Sequence, residues 1–198
     1  MLQNILAVYG SPRRRGNTSI LLDAAVDGAR DAGARVEKIV LRDLKISPCL
    51  ELYGCKSEGE CAIRDDFQEV RDKFLAARGV ILASPIFFYA VSAHTKALMD
   101  RFQSLWVKKH WIDHVPFGKS VYNKKGLFIS VGATRGKKLF EGAALSIRYF
   151  FDVLDIALFK TLVYRQIDLE GDIEKHPEYI REAYDAGRAL VEALDMEY

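Results

Sequence analysis

The sequence has no apolar run that approaches the length of a membrane span, and its charges almost balance. The formal net charge is only +2 for 198 residues, so no basic surface for nucleic acid is predicted. Three cysteines are too few, and odd in number, for a disulfide framework. No charged and apolar leader precedes the first predicted strand, and we therefore expect a cytoplasmic protein with reduced thiols and no membrane partner.

Known phosphate-binding signatures are incomplete in the segment from Gly10 to Ser19, which joins the apolar run Ile5–Tyr9 to an amphipathic run. The segment lacks the third glycine of a dinucleotide fingerprint and the Gly-Lys-Ser/Thr ending of a P-loop. It also lacks a phosphatase cysteine, because all three cysteines lie beyond residue 48. Its hydroxyls and arginines at a helix N-terminus are nevertheless suited to a terminal phosphate. The alternative is an ordinary turn with Asn17 or Thr18 as N-cap and a solvated arginine run.

Apolar and amphipathic runs alternate along the chain, which predicts one α/β domain over residues 1–198. Strands are predicted at 3–9, 36–41, 79–84, 126–131 and 156–163. Helices are predicted at 18–33, 65–77, 92–106, 138–151 and 178–194. Strands separated by helices form a parallel sheet, and we expect a doubly wound five-stranded sheet of order 2-1-3-4-5. That order brings the loops after the first, third and fourth strands around one crevice.

Two further loops are predicted at this crevice. The loop over residues 84–92 carries Phe87, Phe88 and Tyr89, which suit the faces of a flat heteroaromatic ring. The alternative is that Phe87 and Phe88 are core residues at the end of a strand. The loop over residues 131–136 has two glycines that allow the backbone to approach the edge of a ligand, or it is a plain strand–helix turn.

In these segments the chain resembles the NADPH-dependent FMN reductases among the flavodoxin-like proteins, particularly their iron–sulfur flavoprotein branch. The matching motifs are Gly-Ser-Pro-Arg at 10–13, Gly-Asn-Thr at 16–18, the segment 49–66, Ala-Ser-Pro-Ile-Phe-Phe at 83–88 and the segment 92–101. The resemblance is dense in the first half of the chain and limited to the general pattern in the second. It implies a flavodoxin-like fold, FMN as cofactor, NAD(P)H as co-substrate and a homodimer or homotetramer.

By this resemblance, the first loop holds the FMN phosphate, the second lines the isoalloxazine and the third meets its pyrimidine edge. The residues assigned to the cofactor are Ser11, Arg13, Gly16, Asn17, Thr18, Ser19, Pro85, Ile86, Phe87, Phe88, Val131, Gly132, Ala133, Arg135 and Gly136. Tyr89 stands where the family often has a small residue, so it covers the ring or narrows the pocket. No catalytic acid or base is assigned, since hydride transfer needs none.

The predicted loop over residues 42–64 contains Cys49, Cys55 and Cys61. In the iron–sulfur branch a compact run of four cysteines binds a [4Fe–4S] cluster, and Leu52 occupies the place of the missing one. Because a cubane cluster takes four thiolates, we predict that this chain binds no such cluster and no metal. The alternatives are a labile three-ligand cluster, a disulfide, or zinc completed by a distant histidine such as His94, His110 or His114.

A second long loop is predicted over residues 107–123, and the tryptophans and two of the four histidines lie between 106 and 114. It is interpreted as a substrate lid or a dimer contact, or as a loop packed on its own surface. Lys96 and Asp100 are one helical turn apart, which predicts an ion pair. Asp100 and Arg101 are interpreted as structural, and the adjacent Asp65 and Asp66 as a helix N-cap rather than a metal site.

Together these features predict an NAD(P)H-dependent FMN oxidoreductase that passes hydride from NAD(P)H to FMN. The electrons then go to a small-molecule or protein acceptor, such as a flavin, a quinone or an azo compound. The alternatives are a flavodoxin-type electron carrier with a degenerate cluster loop and a non-catalytic binding module.

Overall fold

The fold is a five-stranded parallel sheet covered by helices on both faces. The computed structural model describes residues 3–117 and 122–196. The strands are β1 (Asn4–Tyr9), β2 (Arg35–Val40), β3 (Gly79–Ala83), β4 (Lys124–Gly132) and β5 (Ile156–Arg165). Their order is β2-β1-β3-β4-β5 with every neighbour parallel, which confirms the predicted doubly wound sheet. The winding reverses between β1 and β3, so a crevice opens at the carboxyl ends of these strands.

The helices pack on both faces of the sheet. They are α1 (Asn17–Asp31), α2 (Cys55–Glu58), α3 (Phe67–Ala76), α4 (Ala93–Arg101), α5 (Gln103–Val107), α6 (Glu141–Val153) and α7 (Pro177–Asp195). Single 3-10 turns lie at Leu41–Asp43 and Asp172–Lys175, and a π-helical turn lies at Lys108–Ile112. Within the described ranges, none of these helices is long and apolar enough to cross a lipid bilayer.

The helix predicted over residues 92–106 is interrupted at Phe102. The Phe102 N–H bonds to the Met99 carbonyl three residues back, at 3.1 Å, and this tighter turn separates α4 from α5. The π-helical turn continues α5 into a segment that was predicted to be irregular, and α2 lies inside the predicted loop 42–64. Such short helices escape a search for apolar periodicity, which needs several turns.

The central strands are buried on both sides, which holds their carboxyl ends rigidly. Ile5 and Ala7 of β1 face the apolar layer under α1 and α7, whereas Leu6 and Val8 face the layer under α3, α4 and α6. This split follows from the alternation of side chains along a strand.

Helices α1 and α7 pack with their backbones in contact. A Cβ atom on Gly28 would lie 2.0 Å from the Tyr184 carbonyl oxygen, and one on Gly187 would lie 1.9 Å from the Ala25 carbonyl oxygen. Only glycine permits this approach, since both neighbours are backbone atoms. The helix that begins at the crevice is therefore braced along its length by the last helix.

Candidate functional site

The first turn of α1 presents backbone donors to the crevice. Gly16 is the N-cap residue, and its carbonyl accepts from the N–H groups of Ser19 and Ile20 at 2.8 and 3.2 Å. No side chain caps the helix, so the predicted alternative of an Asn17 or Thr18 N-cap is wrong. Among the described residues, the N–H groups of Asn17 and Thr18 have no acceptor. Because these N–H groups lie unpaired at the start of a long helix, the N-terminus of α1 favours a bound anion.

The loop before α1 is tightly folded around Ser11. The Ser11 hydroxyl accepts from the Arg13 N–H at 3.1 Å, and the Ser19 hydroxyl lies 3.5 Å from the Arg13 carbonyl oxygen. A Cβ atom on Gly16 would lie only 2.7 Å from Ser11 Oγ. Ser11 and Thr18 are almost fully buried, yet the Thr18 side chain has no hydrogen-bond partner in the described part of the chain. The Thr18 hydroxyl is thus available to a ligand.

The three consecutive arginines of this loop have different surroundings. Arg14 pairs with Asp43 at 2.8 Å, and Arg42 donates to the Pro12 carbonyl oxygen at 2.5 Å, so the turn after β2 supports the loop from outside. Arg13 lines the crevice, and its guanidinium has no partner among residues 3–117 and 122–196. Of the three arginines, Arg13 is therefore the one placed to contact a bound anion.

Asn17 connects α1 to the segment after β5. Its amide nitrogen donates to the Leu169 carbonyl oxygen at 2.8 Å, and its amide oxygen accepts from the Ile173 N–H at 3.2 Å. Both ends of the side chain are thus occupied within the protein. Asn17 lines the crevice, but its visible role is to position the neighbouring segment.

The enclosed part of the crevice holds about 130 Å³ and gathers most of the predicted site residues. Those that line it are Ser11, Arg13, Gly16, Asn17, Thr18, Pro85, Ile86, Phe87, Val131, Gly132 and Ala133. Ser19, Phe88, Arg135 and Gly136 do not line this part. Sequence reasoning missed Pro12, Ile167 and Asp168, which complete the lining. Ile167 and Asp168 could have been predicted only from the sheet topology, because the segment after β5 reaches the same edge of the sheet as the other three loops.

A strained turn carries the exposed aromatic side chains beside the crevice. Phe87 and Ala90 pair with each other through N–H to carbonyl bonds of 2.9 and 3.0 Å. Between them, Phe88 and Tyr89 both have left-handed backbone conformations, with φ of 49° and 63°. Phe88 is fully exposed and Phe87 is half exposed, so the alternative that they are core residues is wrong. Bulky residues such as Phe and Tyr are uncommon at positive φ, and strain of this kind is found preferentially at functional sites.

Tyr89 packs against the segment after β4, and its predicted role of covering the ring or narrowing the pocket stays a prediction. A Cβ atom on Gly136 would lie 3.3 Å from the Tyr89 hydroxyl, and one on Gly142 would lie 2.9 Å from its carbonyl oxygen. Arg165 holds the same loop by donating to the Gly136 carbonyl oxygen at 3.1 Å. The Arg135 side chain points instead toward Gln166, and its Nε–H donates to the Gln166 amide oxygen at 3.0 Å.

A buried network of hydroxyls joins the three strand ends below the crevice. The Ser92 hydroxyl donates to the Gly10 carbonyl oxygen at 2.5 Å, and the Ser92 N–H bonds to the Ser84 hydroxyl at 2.9 Å. The Ser130 hydroxyl donates to the Ser84 carbonyl oxygen at 2.6 Å. Because an unmade buried hydrogen bond is costly, this network fixes the relative positions of the loops.

Arg101 anchors the cysteine-containing segment from beneath. Its side chain is fully buried and donates to Asp65 at 2.7 Å, to the Ser47 and Ile63 carbonyl oxygens at 2.9 Å, and to Cys61 Sγ at 3.2 Å. Burial alone would lower the pKa of Arg101, but Asp65 and Cys61 raise it above its ordinary value. The predicted structural role of Arg101 is confirmed.

Asp65 accepts hydrogen bonds from three donors: the Phe67 N–H, the Ser47 N–H and the Arg101 side chain. One carboxylate oxygen accepts from the N–H of Phe67, the first residue of α3, at 3.0 Å, while the other accepts from Arg101. Burial alone would raise the pKa of Asp65, but these bonds and the Ser47 N–H hold it below its ordinary value. The N-cap position itself is occupied by Asp66, whose carboxylate accepts from the Lys45 N–H and makes no capping bond to the helix. The predicted ion pair between Lys96 and Asp100 is also present, at 2.6 Å.

The cysteines do not fit a four-thiolate cluster. Cys49, Cys55 and Cys61 line one cavity with free thiols, and burial together with the other two sulfurs raises the pKa of Cys55. Leu52 is 61% exposed at the place where a fourth ligand would be required. In the part of the chain that the structure describes, no three His, Cys, Asp or Glu side chains are arranged to hold a metal ion. The absence of a cluster stays a prediction.

The aromatic segment after α5 packs largely on itself. The Trp106 ring lies 5.5 Å from Trp111, and His110 stacks on Phe117 at 4.5 Å. His110 Nδ1 lies 2.8 Å from the Val115 carbonyl oxygen. Residues 118–121 of the predicted loop lie outside the described residues, and its interpretation as a lid or dimer contact stays a prediction.

Known proteins share both the sequence and the fold. The sequence model of the family described as NADPH-dependent FMN reductase matches residues 3–157. An iron–sulfur flavoprotein of Methanocaldococcus jannaschii is 38% identical over 131 residues, which cover 66% of this chain and 63% of that protein. The chain thus matches less than two thirds of this relative's length.

Two solved structures show the same architecture. A flavone reductase superposes with a TM-score of 0.74 at 22% identity, over 99% of this chain and 65% of the other. An NAD(P)H:quinone oxidoreductase from Methanothermobacter marburgensis superposes with a TM-score of 0.72 at 17% identity, over 96% of both chains. These low identities support the fold alone. Because the family match spans more than half of the 198 residues and includes the loops after β1, β3 and β4, the chain belongs to the NADPH-dependent FMN reductase family.

Proposed function

We propose that this chain is an NAD(P)H-dependent oxidoreductase that binds FMN in the crevice between β1 and β3. The observation that carries the proposal is the open N-terminus of α1. There, two N–H groups, the Thr18 hydroxyl and the Arg13 guanidinium lie together without partners among the residues that the structure describes. A doubly negative phosphate monoester matches this set of donors in charge and in hydrogen bonding.

The crevice is large enough to enclose only one end of a ligand of the size of FMN. About 130 Å³ is well below the roughly 300–1,000 Å³ of pockets that enclose a drug-sized ligand. The enclosed part therefore suits the phosphate and its polyol chain, held by Ser11, Arg13 and Thr18. The ring is then held between the segments Pro85–Phe87 and Val131–Ala133, where one face stays open to a second substrate.

FMN, when bound, supplies the redox chemistry: it accepts hydride from NAD(P)H and passes electrons to an acceptor. The protein residues bind, orient and shield. The hydroxyl network of Ser84, Ser92 and Ser130 holds the loops in register, and the turn at Phe88 and Tyr89 presents apolar surface beside the open face. No protein group has to move a proton for hydride transfer, which agrees with the lack of an assigned acid or base.

The acceptor is proposed to be a small aromatic compound or a redox protein, and the chain is proposed to act in the cytoplasm as a homodimer or homotetramer. Large exposed aromatic side chains support self-association. Phe117 is 72% exposed and Tyr149 is 66% exposed, and both line one groove between α5 and α6. Exposed apolar surface of this kind is often covered by another chain.

The phosphate assignment is tested by titrating the flavin-free protein with FMN and with riboflavin. Replacing Arg13 or Thr18 by alanine is expected to weaken FMN binding by about 10–150-fold each, because a hydrogen bond to a charged group contributes about 1.5–3 kcal/mol. The same variants should leave the weaker riboflavin binding unchanged.

Arg15→Ala is the matched control, since Arg15 is exposed on the same loop but does not line the crevice. Riboflavin binding as tight as FMN binding, or equal losses in all three variants, would refute the phosphate site. Steady-state oxidation of NAD(P)H by the FMN-loaded protein then separates an enzyme from an electron carrier.

A further inference from the structure

A second, larger cavity lies between the cysteine-containing segment and α5. It holds about 640 Å³ and shares no lining residue with the crevice at the N-terminus of α1. One wall is formed by residues 49–56 and 61–63, and the other by Trp106, Val107 and Trp111. This volume lies within the range of about 300–1,000 Å³ that is typical of small-molecule pockets. We call it the cysteine-loop cavity.

The walls of this cavity are apolar, aromatic and incompletely covered. Leu50, Leu52 and Tyr53 are 58%, 61% and 56% exposed, and Trp111 is 49% exposed on the opposite wall. Large apolar side chains that face each other across an open cavity gain free energy when a ligand removes them from water. Aromatic walls favour a flat ring, which can stack on them or meet their edges.

The charged groups around the cavity each contact another side chain of the protein. Lys56 Nζ lies 3.9 Å from the centre of the Tyr53 ring and 5.5 Å from that of Trp111. Asp100 pairs with Lys96 at 2.6 Å, and Glu51 lies 3.5 Å from the Tyr53 hydroxyl. A charged ligand would have to break one of these contacts or enter unpaired, which is unfavourable in an apolar site. The cavity is therefore suited to a neutral ligand.

The cavity is held open by the protein itself. Arg101 fixes Ser47, Cys61 and Ile63 at the base of the loop through its hydrogen bonds. Glu51 and Tyr53, on either side of Leu52, have left-handed backbone conformations with φ of 51° and 59°. Both strained residues, and Leu52 between them, line the cavity, and such strain is often found at ligand-binding segments.

We propose that the cysteine-loop cavity binds a neutral, flat aromatic compound of about two fused rings. The loop to which the family resemblance assigns cluster ligands would here form the wall of an organic binding site, with Leu52 as its central apolar contact. This proposal does not rest on FMN binding, because the two sites share no residue.

The chain's only two tryptophans both line this cavity, so intrinsic fluorescence reports on it directly. The experiment titrates the flavin-free full-length protein with 1-nitronaphthalene, a neutral quencher that does not react with thiols. Saturable quenching is expected, together with at least about tenfold weaker binding of the anion naphthalene-1-sulfonate, because a charge gains no partner there.

Leu52→Asp is expected to weaken 1-nitronaphthalene binding at least about tenfold, because it places a charge on the apolar wall. The control is Leu145→Asp on α6, where the leucine is 56% exposed and does not line the cavity. It should bind like the wild type, and circular dichroism checks that both variants are folded. Linear, non-saturable quenching would overturn the proposal, and so would equal affinities in the two variants. A third outcome would also overturn the proposal. If light scattering shows that the protein dissociates on dilution, and the tryptophan emission changes in parallel, then a second copy of the chain covers the cavity.

Discussion

At the scale of single residues, Arg101 is the side chain on which most of the cysteine-containing segment depends. An arginine with a side chain that is 0% exposed is tolerated because Asp65, itself 13% exposed, neutralises it. Removing one partner of such a pair leaves the other charge buried and unpaired. The pair therefore determines whether the segment folds, even if its net contribution to stability is small.

Asp65→Asn is expected to destabilise the protein by about 3–5 kcal/mol, as measured by urea unfolding at neutral pH. Asp100→Asn serves as control, because it removes an exposed ion pair on α4 that contributes about 0.5 kcal/mol or less. Comparable losses in the two variants would show that the buried pair does not hold the segment.

Leu52 is the residue that we predict to decide the metal content of the loop. After anaerobic reconstitution with iron and sulfide, we predict substoichiometric iron and acid-labile sulfide in the wild type, because only three thiolates are available. Leu52→Cys is expected to raise both toward four per chain and to add visible absorption. Leu50→Cys, 58% exposed and two positions away, is the control and should resemble the wild type. Stoichiometric cluster in the wild type would contradict the prediction.

At the scale of elements, the turn between β3 and α4 keeps a conformation that its sequence disfavours. Two left-handed residues in succession are the conformation of an Asn-Gly turn, and an ordinary residue there costs about 1–2 kcal/mol. Phe88 and Tyr89 are retained at these positions with their rings exposed. We propose that they are retained because their exposed rings, which lie beside the crevice, contact the ligand proposed for it.

Replacing Phe88 by Asn together with Tyr89 by Gly is expected to stabilise the fold by about 1–2 kcal/mol while weakening FMN binding. Thermal unfolding and flavin titration on the same samples measure the two effects. His114→Gly relieves a left-handed residue, with φ of 55°, outside the crevice and should change stability alone. If the double variant binds FMN like the wild type, the turn is not part of the site.

The elements that were predictable from sequence are those with strong local patterns. Strands β1, β3 and β4 are buried on both faces and appear as continuous apolar runs. The break at Phe102 was not predictable, since it depends on one hydrogen bond within an otherwise helical stretch. Arg101 did leave a signal, because it lies three residues after the buried Leu98 on the apolar face of its helix.

At the scale of the whole molecule, the topology determines which loops meet. Three of the four segments around the crevice were predicted, because each follows a strand in a known order of the sheet. Ile167 and Asp168 were missed because nothing in their local sequence marks a ligand contact, and Asn17 bonds to residues more than 150 positions away. Such contacts form only when the whole sheet has assembled, so a local sequence pattern cannot reveal them.

The global stability should depend on pH through the lowered pKa of Asp65. Its contribution is complete above the pKa of about 3.9 in the unfolded chain and is lost as the pH falls through the lower pKa of the folded state. The difference in unfolding free energy between wild type and Asp65→Asn should therefore be constant above about pH 5 and shrink below about pH 4. A difference that does not vary from pH 3 to pH 7 would contradict this assignment.

The close contact between α1 and α7 has a consequence for how the chain can be shortened. The family match ends at residue 157, yet α7 begins at Pro177 and contributes Leu190, Val191 and Leu194 to the apolar layer under α1. A fragment trimmed to the matched residues would leave that layer facing water and would deprive α1 of its support. We expect such a fragment to aggregate on expression, whatever cofactor is supplied.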